Sequence, residues 1–253
     1  ALDEAVAWGA DRIVAKGDLT ERASPAEWRT YAELVHPLPV PVDAQPGNHD
    51  HGPRGLPGHL LPEQAAEVFD LSIARPLLVR DLPGLRLLIV DSTRPGRNDG
   101  TIRPVLPDVL DAVADADRSG GVLVTLHHQL LPHRIPEGWP PGIPHAESLA
   151  FLDALGAAHP HALVTSGHTH RHRRWGRAGV VATQVGSTKD FPGVWGGYVV
   201  HEGGIRQIVR RTQHPDAIGW TDHSRIAAFG AWEHAAPGRL DARCFNVAWG
   251  RPA

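Results

Sequence analysis

Four short motifs hold the side chains best suited to bind metal ions and move protons: Gly17-Asp18, Gly47-Asn48-His49-Asp50, His127-His128 and Gly167-His168-Thr169-His170. Imidazole is the commonest neutral metal ligand and a frequent proton carrier, and carboxylate and amide oxygens suit the same borderline ions. Alternate histidines after a strand, such as His168 and His170, can both face one ion. Each motif also has a plainer reading. A lone Gly-Asp is usually a turn, Asn-His-Asp can cap a segment, and a His-His pair closing a buried strand is often a hydrogen-bonded core pair. The series of four carries the inference, and the 17 histidines of the chain matter less for their number than for these positions.

The elements that must position the motifs follow from hydrophobic pattern. Short strands are expected at 12–16, 40–44, 122–126 and 162–165, and one motif follows each. Open α/β sheets bind ligands beyond the carboxyl ends of their strands, so the four motifs are expected to converge at one sheet edge. Ser24-Pro25-Ala26-Glu27 reads as a capping box with proline at the first helical position, opening a helix to about Leu34. Further helices are expected at 63–69, 107–116 and 147–157, and a hairpin over 77–90 turning at Leu82-Pro83-Gly84. After Gly179 the pattern becomes strand-rich, at 180–185, 198–200 and 205–209. Alternating β and α units followed by strands predict an α/β core sandwich. The tail from about Gln213 carries Trp220, Phe229, Trp232, Phe245 and Trp249 and is expected to pack on the domain, giving a main domain over 1–212 and an extension over 213–253.

Composition narrows the function. The net charge of -3 argues against broad nucleic-acid binding, which needs a basic surface. The single Cys244 rules out an internal disulfide and a cysteine-based zinc cluster, and it favours a cytoplasmic location. No apolar run approaches the roughly 20 residues needed to span a membrane. The chain contains no methionine, and residues 1–9 already read as the middle of an apolar-faced helix. The expectation is that Ala1 is not the natural start and that an earlier strand precedes it.

In order and spacing, Gly17-Asp18, Gly47-Asn48-His49-Asp50, His127 and Gly167-His168-Thr169-His170 resemble the calcineurin-like metallophosphoesterase family, and look most like its bacterial cyclic-nucleotide and glycerophosphodiester phosphodiesterase branch. The resemblance covers residues 1–210. It implies a two-sheet α/β/β/α sandwich, here lacking the first strand, and a binuclear centre of Fe, Mn, Zn or Co. It implies that Asp18 bridges two ions, that Asn48, His127 and His168 hold one of them, and that His170 holds the other. His127 is chosen over His128 by the family pattern; spacing alone does not separate them. His49 would protonate the leaving oxygen, with Asp50 orienting its ring, while a hydroxide shared by the metals attacks phosphorus. The substrate would be a small phosphoester, and a phosphodiester above all, with no nucleic-acid or membrane partner.

The sequence departs from the family in one respect. No Asp-x-His precedes Gly17, and Asp222-His223 has the wrong spacing and chain position to replace it. The expectation is one ion held more firmly than the other; the alternative is a catalytically impaired metal- or ligand-binding scaffold of the same fold. Among the remaining candidates, Arg171, Arg173, Arg174 and Arg177 read as a solvated hairpin, with phosphate binding as the sharper possibility. Arg54 has a similar but weaker claim. Asp91 reads equally as a turn residue or as a partner to a ligand, Trp139 as a pocket wall or a surface lid, and the turn 189–193 as a segment that could approach the site.

Overall fold

A computed structural model describes residues 1–52, 58–135 and 141–249. The chain runs α1 (Leu2–Ala7), β1 (Ile13–Lys16), α2 (Pro25–Val35), β2 (Val42–Gln45), α3 (Pro62–Val68), β3 (Leu77–Leu82), β4 (Leu85–Val90), α4 (Leu106–Ala114), β5 (Gly121–Leu126), α5 (His145–Ala158) and β6 (Ala162–Ser166). It continues through β7 (Arg173–Arg177), β8 (Val180–Gln184), β9 (Val194–His201), β10 (Gly204–Arg211), α6 (Pro215–Ser224), α7 (Ala227–Ala235), α8 (Leu240–Arg243) and β11 (Phe245–Ala248). A 3-10 turn, His49–His51, follows the second strand.

The central layer is a six-stranded mixed sheet in the order β3-β4-β5-β6-β8-β7. Its inner strands β4, β5, β6 and β8 are parallel, and β3 and β7 close the edges antiparallel. Both faces are buried, which is why its inner strands read as unbroken apolar runs. Leu88 and Val90 of β4, Val122, Val124 and Leu126 of β5, and Ala162 and Val164 of β6 pack with Val109, Val113, Phe151, Leu152 and Leu155 of α4 and α5. The alternate residues Leu85, Leu87, Ile89, Leu123 and Leu163 point the other way, onto Ile205, Phe245 and Trp249. The second layer holds the parallel pair β1-β2 and the antiparallel sheet β11-β10-β9. Trp28, Ala32 and Val35 of α2 cover the β2 side with Ala65 and Ala66 of α3. The result is the expected α/β sandwich with helices outside, its second layer divided into two separate sheets.

Local chemistry accounts for the element ends. The Ser24 hydroxyl accepts from Glu27 N at 3.3 Å, and the Glu27 carboxylate accepts from Ser24 N at 2.9 Å, so the capping box is complete. Strand β9 is longer than the expected 198–200. Its extra residues include Gly196 and Gly197, and a Cβ on Gly197 would lie 2.5 Å from the Trp8 ring. The glycines admit a neighbouring ring while weakening the strand signal in the sequence. Strand β7 was expected only as a polar hairpin; its arginines make it a charged edge strand. The tail ends in β11, which pairs with β10 from Gly204↔Ala248 to Gln207↔Phe245. Among the described residues no helix is long and apolar enough to cross a membrane.

Candidate metal centre and its cleft

The four motifs leave β1, β2, β5 and β6 at the same end of the two layers. Thr125 Oγ1 donates to Gln45 Oε1 at 2.7 Å, tying the strand that delivers His127 to the strand that delivers Asn48. Gly167 N donates to His127 O at 3.0 Å and joins the third motif to the fourth. The glycines are steric requirements. Gly17 has φ +86°, and a Cβ there would lie 2.3 Å from His127 Nδ1; one on Gly47 would lie 2.2 Å from Asp18 Oδ1. Asp18, His168 and His170 adopt left-handed backbone at φ 53°, 67° and 53°. Such conformations cost energy and persist where the surroundings fix them, as they commonly do at functional sites.

Asp18, Asn48, His127 and His168 come together. His127 Nε2 lies 3.0 Å from His168 Nδ1, 3.2 Å from Asn48 Oδ1 and 3.4 Å from Asp18 Oδ1. The outward nitrogens fix the tautomers. His127 Nδ1 meets Lys16 O at 2.7 Å, and His168 Nε2 meets Pro141 O at 3.2 Å. A carbonyl only accepts, so each outward nitrogen carries the proton and each inward nitrogen is a bare lone pair. Burial pulls both imidazoles below their usual range, and His127 adds to the shift of His168, which falls to about 3. Four acceptors therefore face one point without a shared proton, an arrangement that suits a cation. The buried His128 belongs to the same imidazole group; Ser92 Oγ engages its Nδ1 at 3.0 Å and its ring packs on Gly100, which leaves its buried Nε2 without a hydrogen-bond partner among the described residues.

His170 stands at the wall of the cleft. Its Nδ1 lies 2.6 Å from Asp190 Oδ2, and its ring stacks on Trp232 with centroids 5.6 Å apart. The Asp190 contact leaves Nε2 as the ring nitrogen available to a ligand. The turn 189–193 thus does approach the site, through Asp190.

His49 lines the cleft, but its ring is held differently from the sequence expectation. Its Nδ1 lies 3.2 Å from Glu21 O and 3.5 Å from Glu21 Oε1, while its backbone N donates to Asp18 Oδ1 at 3.1 Å. Asp50 does not orient that ring. Its buried carboxylate accepts from Leu19 N at 3.1 Å, Thr20 N at 2.8 Å, Thr20 Oγ1 at 2.9 Å and Gly47 N at 2.8 Å. Asp50 therefore pins the Asp18 loop to the Asn48 turn. These donors use its acceptor positions, which leaves Glu21 as the partner of His49.

Other candidates resolve more simply. Arg177 pairs with Asp153 at 2.7 Å, and the Arg174 guanidinium lies 4.2 Å from the Phe245 ring centre. None of the four arginines after His170 lines the cleft among the described residues. Asp91 accepts from Thr93 N at 2.7 Å and Thr93 Oγ1 at 2.6 Å, and Thr93 Oγ1 in turn meets His51 Nε2 at 2.7 Å. Asp222 is taken by Arg211. Arg54 and Trp139 lie outside the described residues. Sequence reasoning missed Lys16, Glu21 and Trp232. Lys16, half-buried in the cleft wall and lowered by burial to about 7, places Nζ 2.8 Å from Ser166 O and 3.1 Å from Thr165 Oγ1. The site opens into a cleft of about 2150 Å³, lined also by β1, β9 and residues 96–98.

No family model matches the chain. It is 31% identical over 161 residues to a probable cyclic nucleotide phosphodiesterase of Synechococcus sp., covering 64% of this chain and 58% of that protein. It is 29% identical over 206 residues to a probable cyclic nucleotide phosphodiesterase of Rhodococcus erythropolis, covering 74% and 61%. A cAMP/cGMP dual specificity phosphodiesterase of Mycobacterium tuberculosis is 29% identical over 126 residues, covering 48% and 37%. The chain thus matches less than two thirds of the length of these relatives. Among solved structures, a purple acid phosphatase from yellow lupin superposes with a TM-score of 0.58 at 15% identity, covering 83% of this chain and 46% of that one. That likeness concerns the fold.

Proposed function

We propose that this chain, which belongs to the calcineurin-like metallophosphoesterases, hydrolyses phosphoesters, and small phosphodiesters such as cyclic nucleotides above all, with bound metal ions. The observation that carries the reading is the group of four acceptors that His127 Nε2 forms with His168 Nδ1, Asn48 Oδ1 and Asp18 Oδ1, with neither facing imidazole nitrogen protonated. Asp18, Asn48, His127 and His168 would hold one ion, and His170 with Asp18 the other. Mixed carboxylate, amide and imidazole ligands suit Fe, Mn, Zn or Co. Bound there, the metals would polarise phosphoryl oxygens and make water acidic enough to attack near neutral pH.

The residues have distinct tasks. Lys16 O and Pro141 O hold the protons that keep the inward imidazole nitrogens bare. Asp18 accepts the His49 backbone N–H and so couples the metal ligand to the proton donor. With Nδ1 engaged by Glu21, His49 has Nε2 left to hand a proton to the departing alkoxide. Asp190 does for His170 what the two carbonyls do for His127 and His168. The cytoplasmic assignment rests on Cys244 alone.

A second reading is favoured by one observation: Asp18, Asn48, His127 and His168 lie together, while His170 contacts Asp190 and Trp232 instead. On that basis the chain would be an impaired metal- or ligand-binding scaffold. A panel of phosphodiesters and phosphomonoesters with added Mn or Fe separates the two. Metal-dependent turnover, fastest on diesters and abolished by chelation, supports the hydrolase. Firm metal binding with no turnover on any ester supports the scaffold.

A further inference from the structure

The C-terminal helices are built onto the loops that carry His170 and Asp190. Trp220 Nε1 of α6 donates to Lys189 O at 2.9 Å, and Phe191 N donates to Ser224 Oγ at 2.8 Å. The buried Thr221 packs against Gly193, where a Cβ would come within 2.7 Å of it. After α7 the chain locks onto the other loop, with His172 N donating to Ala236 O at 3.1 Å. Gly238, at φ +57°, passes so close that a Cβ would lie 2.2 Å from His172 O. These contacts bring α7 to the mouth of the site and set the Trp232 ring on His170 at an interplanar angle of 27°.

Trp232 does more there than fill space. Trp232 is only partly buried and lines the cleft with Asn48, His49 and Asp18. The cleft is also lined by 96–98, where Asn98 Oδ1 accepts from Asn48 Nδ2 at 3.3 Å. A phosphoester whose phosphate sits among Asp18, Asn48 and His49 would share the cleft with an aromatic surface and amide groups. Planar ligand groups favour that kind of pocket, because an indole offers a large, rigid π-surface at small entropic cost.

We propose that Trp232 is a specificity residue, the aromatic platform on which a planar base attached to the phosphoester stacks. The inference rests on the phosphoester reading of the site and names the part of the substrate that the extension recognises.

The test compares adenosine 5′-monophosphate with ribose 5-phosphate, which differ only in the base, by calorimetric titration of the Mn-loaded protein. Wild-type protein is expected to bind the nucleotide roughly tenfold more tightly, as one stacked base allows. In Trp232→Ala the preference falls to near one, and Trp232→Phe, which retains a ring, keeps part of it. Equal affinities in the wild type overturn the proposal while leaving the phosphate site standing. A preference that survives in Trp232→Ala also overturns it. No binding of either ester removes the phosphoester reading and this proposal together.

Discussion

His127 Nε2 and His168 Nδ1 face each other at 3.0 Å, and each ring spends its other nitrogen on a backbone carbonyl. Two lone pairs so close repel unless something positive lies beside them. The backbone around them is fitted to this placement, with glycine where a Cβ would strike His127 and left-handed conformation at Asp18 and His168. The chain has been shaped to hold acceptors together, and a cation is what makes that arrangement favourable.

Replacing His49 by Ala separates chemistry from metal binding. Metal content should stay at the wild-type level while kcat falls by roughly 10²–10⁴, the range for losing a positioned proton donor. The loss should shrink on p-nitrophenyl esters, whose leaving group needs little protonation. A parallel loss of metal would place His49 among the ligands instead.

The glycines give a steric test within one site. Gly47→Ala drives a methyl group to 2.2 Å from Asp18 Oδ1, so it should empty the site of metal and destabilise the fold by about 1–3 kcal/mol. Gly167→Ala, whose nearest neighbour is Lys16 O at 3.6 Å, should change both far less. Similar behaviour of the two, read by thermal unfolding and metal content, would contradict the packing described for Gly47.

Much of the site was legible because parallel strands buried on both faces announce themselves as apolar runs, and the polar motifs stand where those runs end. The positions of the four motifs follow from that pattern, while the choice of Asp18, Asn48, His127 and His168 within them comes from the family resemblance. The orienting groups do not. Glu21 reaches His49 and Asp190 reaches His170 through loop conformations that no periodicity records. The resemblance implies that Asp50 orients His49, but Asp50 is taken by four donors of the Asp18 loop and the Asn48 turn, and it is Glu21 that contacts the His49 ring. Trp232 was recognised as a tail residue that packs, but its place on His170 depends on contacts of α6 and α7 with two distant loops. Gly219 within α6 and Gly230 within α7 further weaken the helix signal there.

Asp43 ties β2 into the scaffold behind the site, and its pH behaviour should reveal it. Burial works against the Asp43 carboxylate, but Arg80, Ser72 and Arg12 outweigh it and hold the group below its usual range. Its contribution is therefore present in full above pH 3.8, the ordinary aspartate value, and is lost as pH falls through the lower folded value. Asp43→Asn should cost about 3 kcal/mol at pH 7, with wild type and variant converging below pH 3.8. Denaturant titrations at several pH values check this; a constant difference down to acid pH would argue against the ion-pair account.

Asp190→Asn should act on His170 alone. Without the carboxylate on Nδ1, the ion proposed at His170 should lose roughly 10–100-fold in affinity, while the ion proposed at Asn48, His127 and His168 should stay bound. Metal titration followed by elemental analysis resolves the two, and equal weakening of both would show that His170 is not a separate position.

The most direct test of the central claim is the metal content of protein purified without chelator, wild type beside His127→Ala. The account predicts at least one firmly held transition-metal ion in the wild type and its loss in the variant, with the fold retained by circular dichroism. A wild-type protein that holds no metal, or a variant that keeps all of it, would contradict the reading of Asp18, Asn48, His127 and His168 as a metal centre.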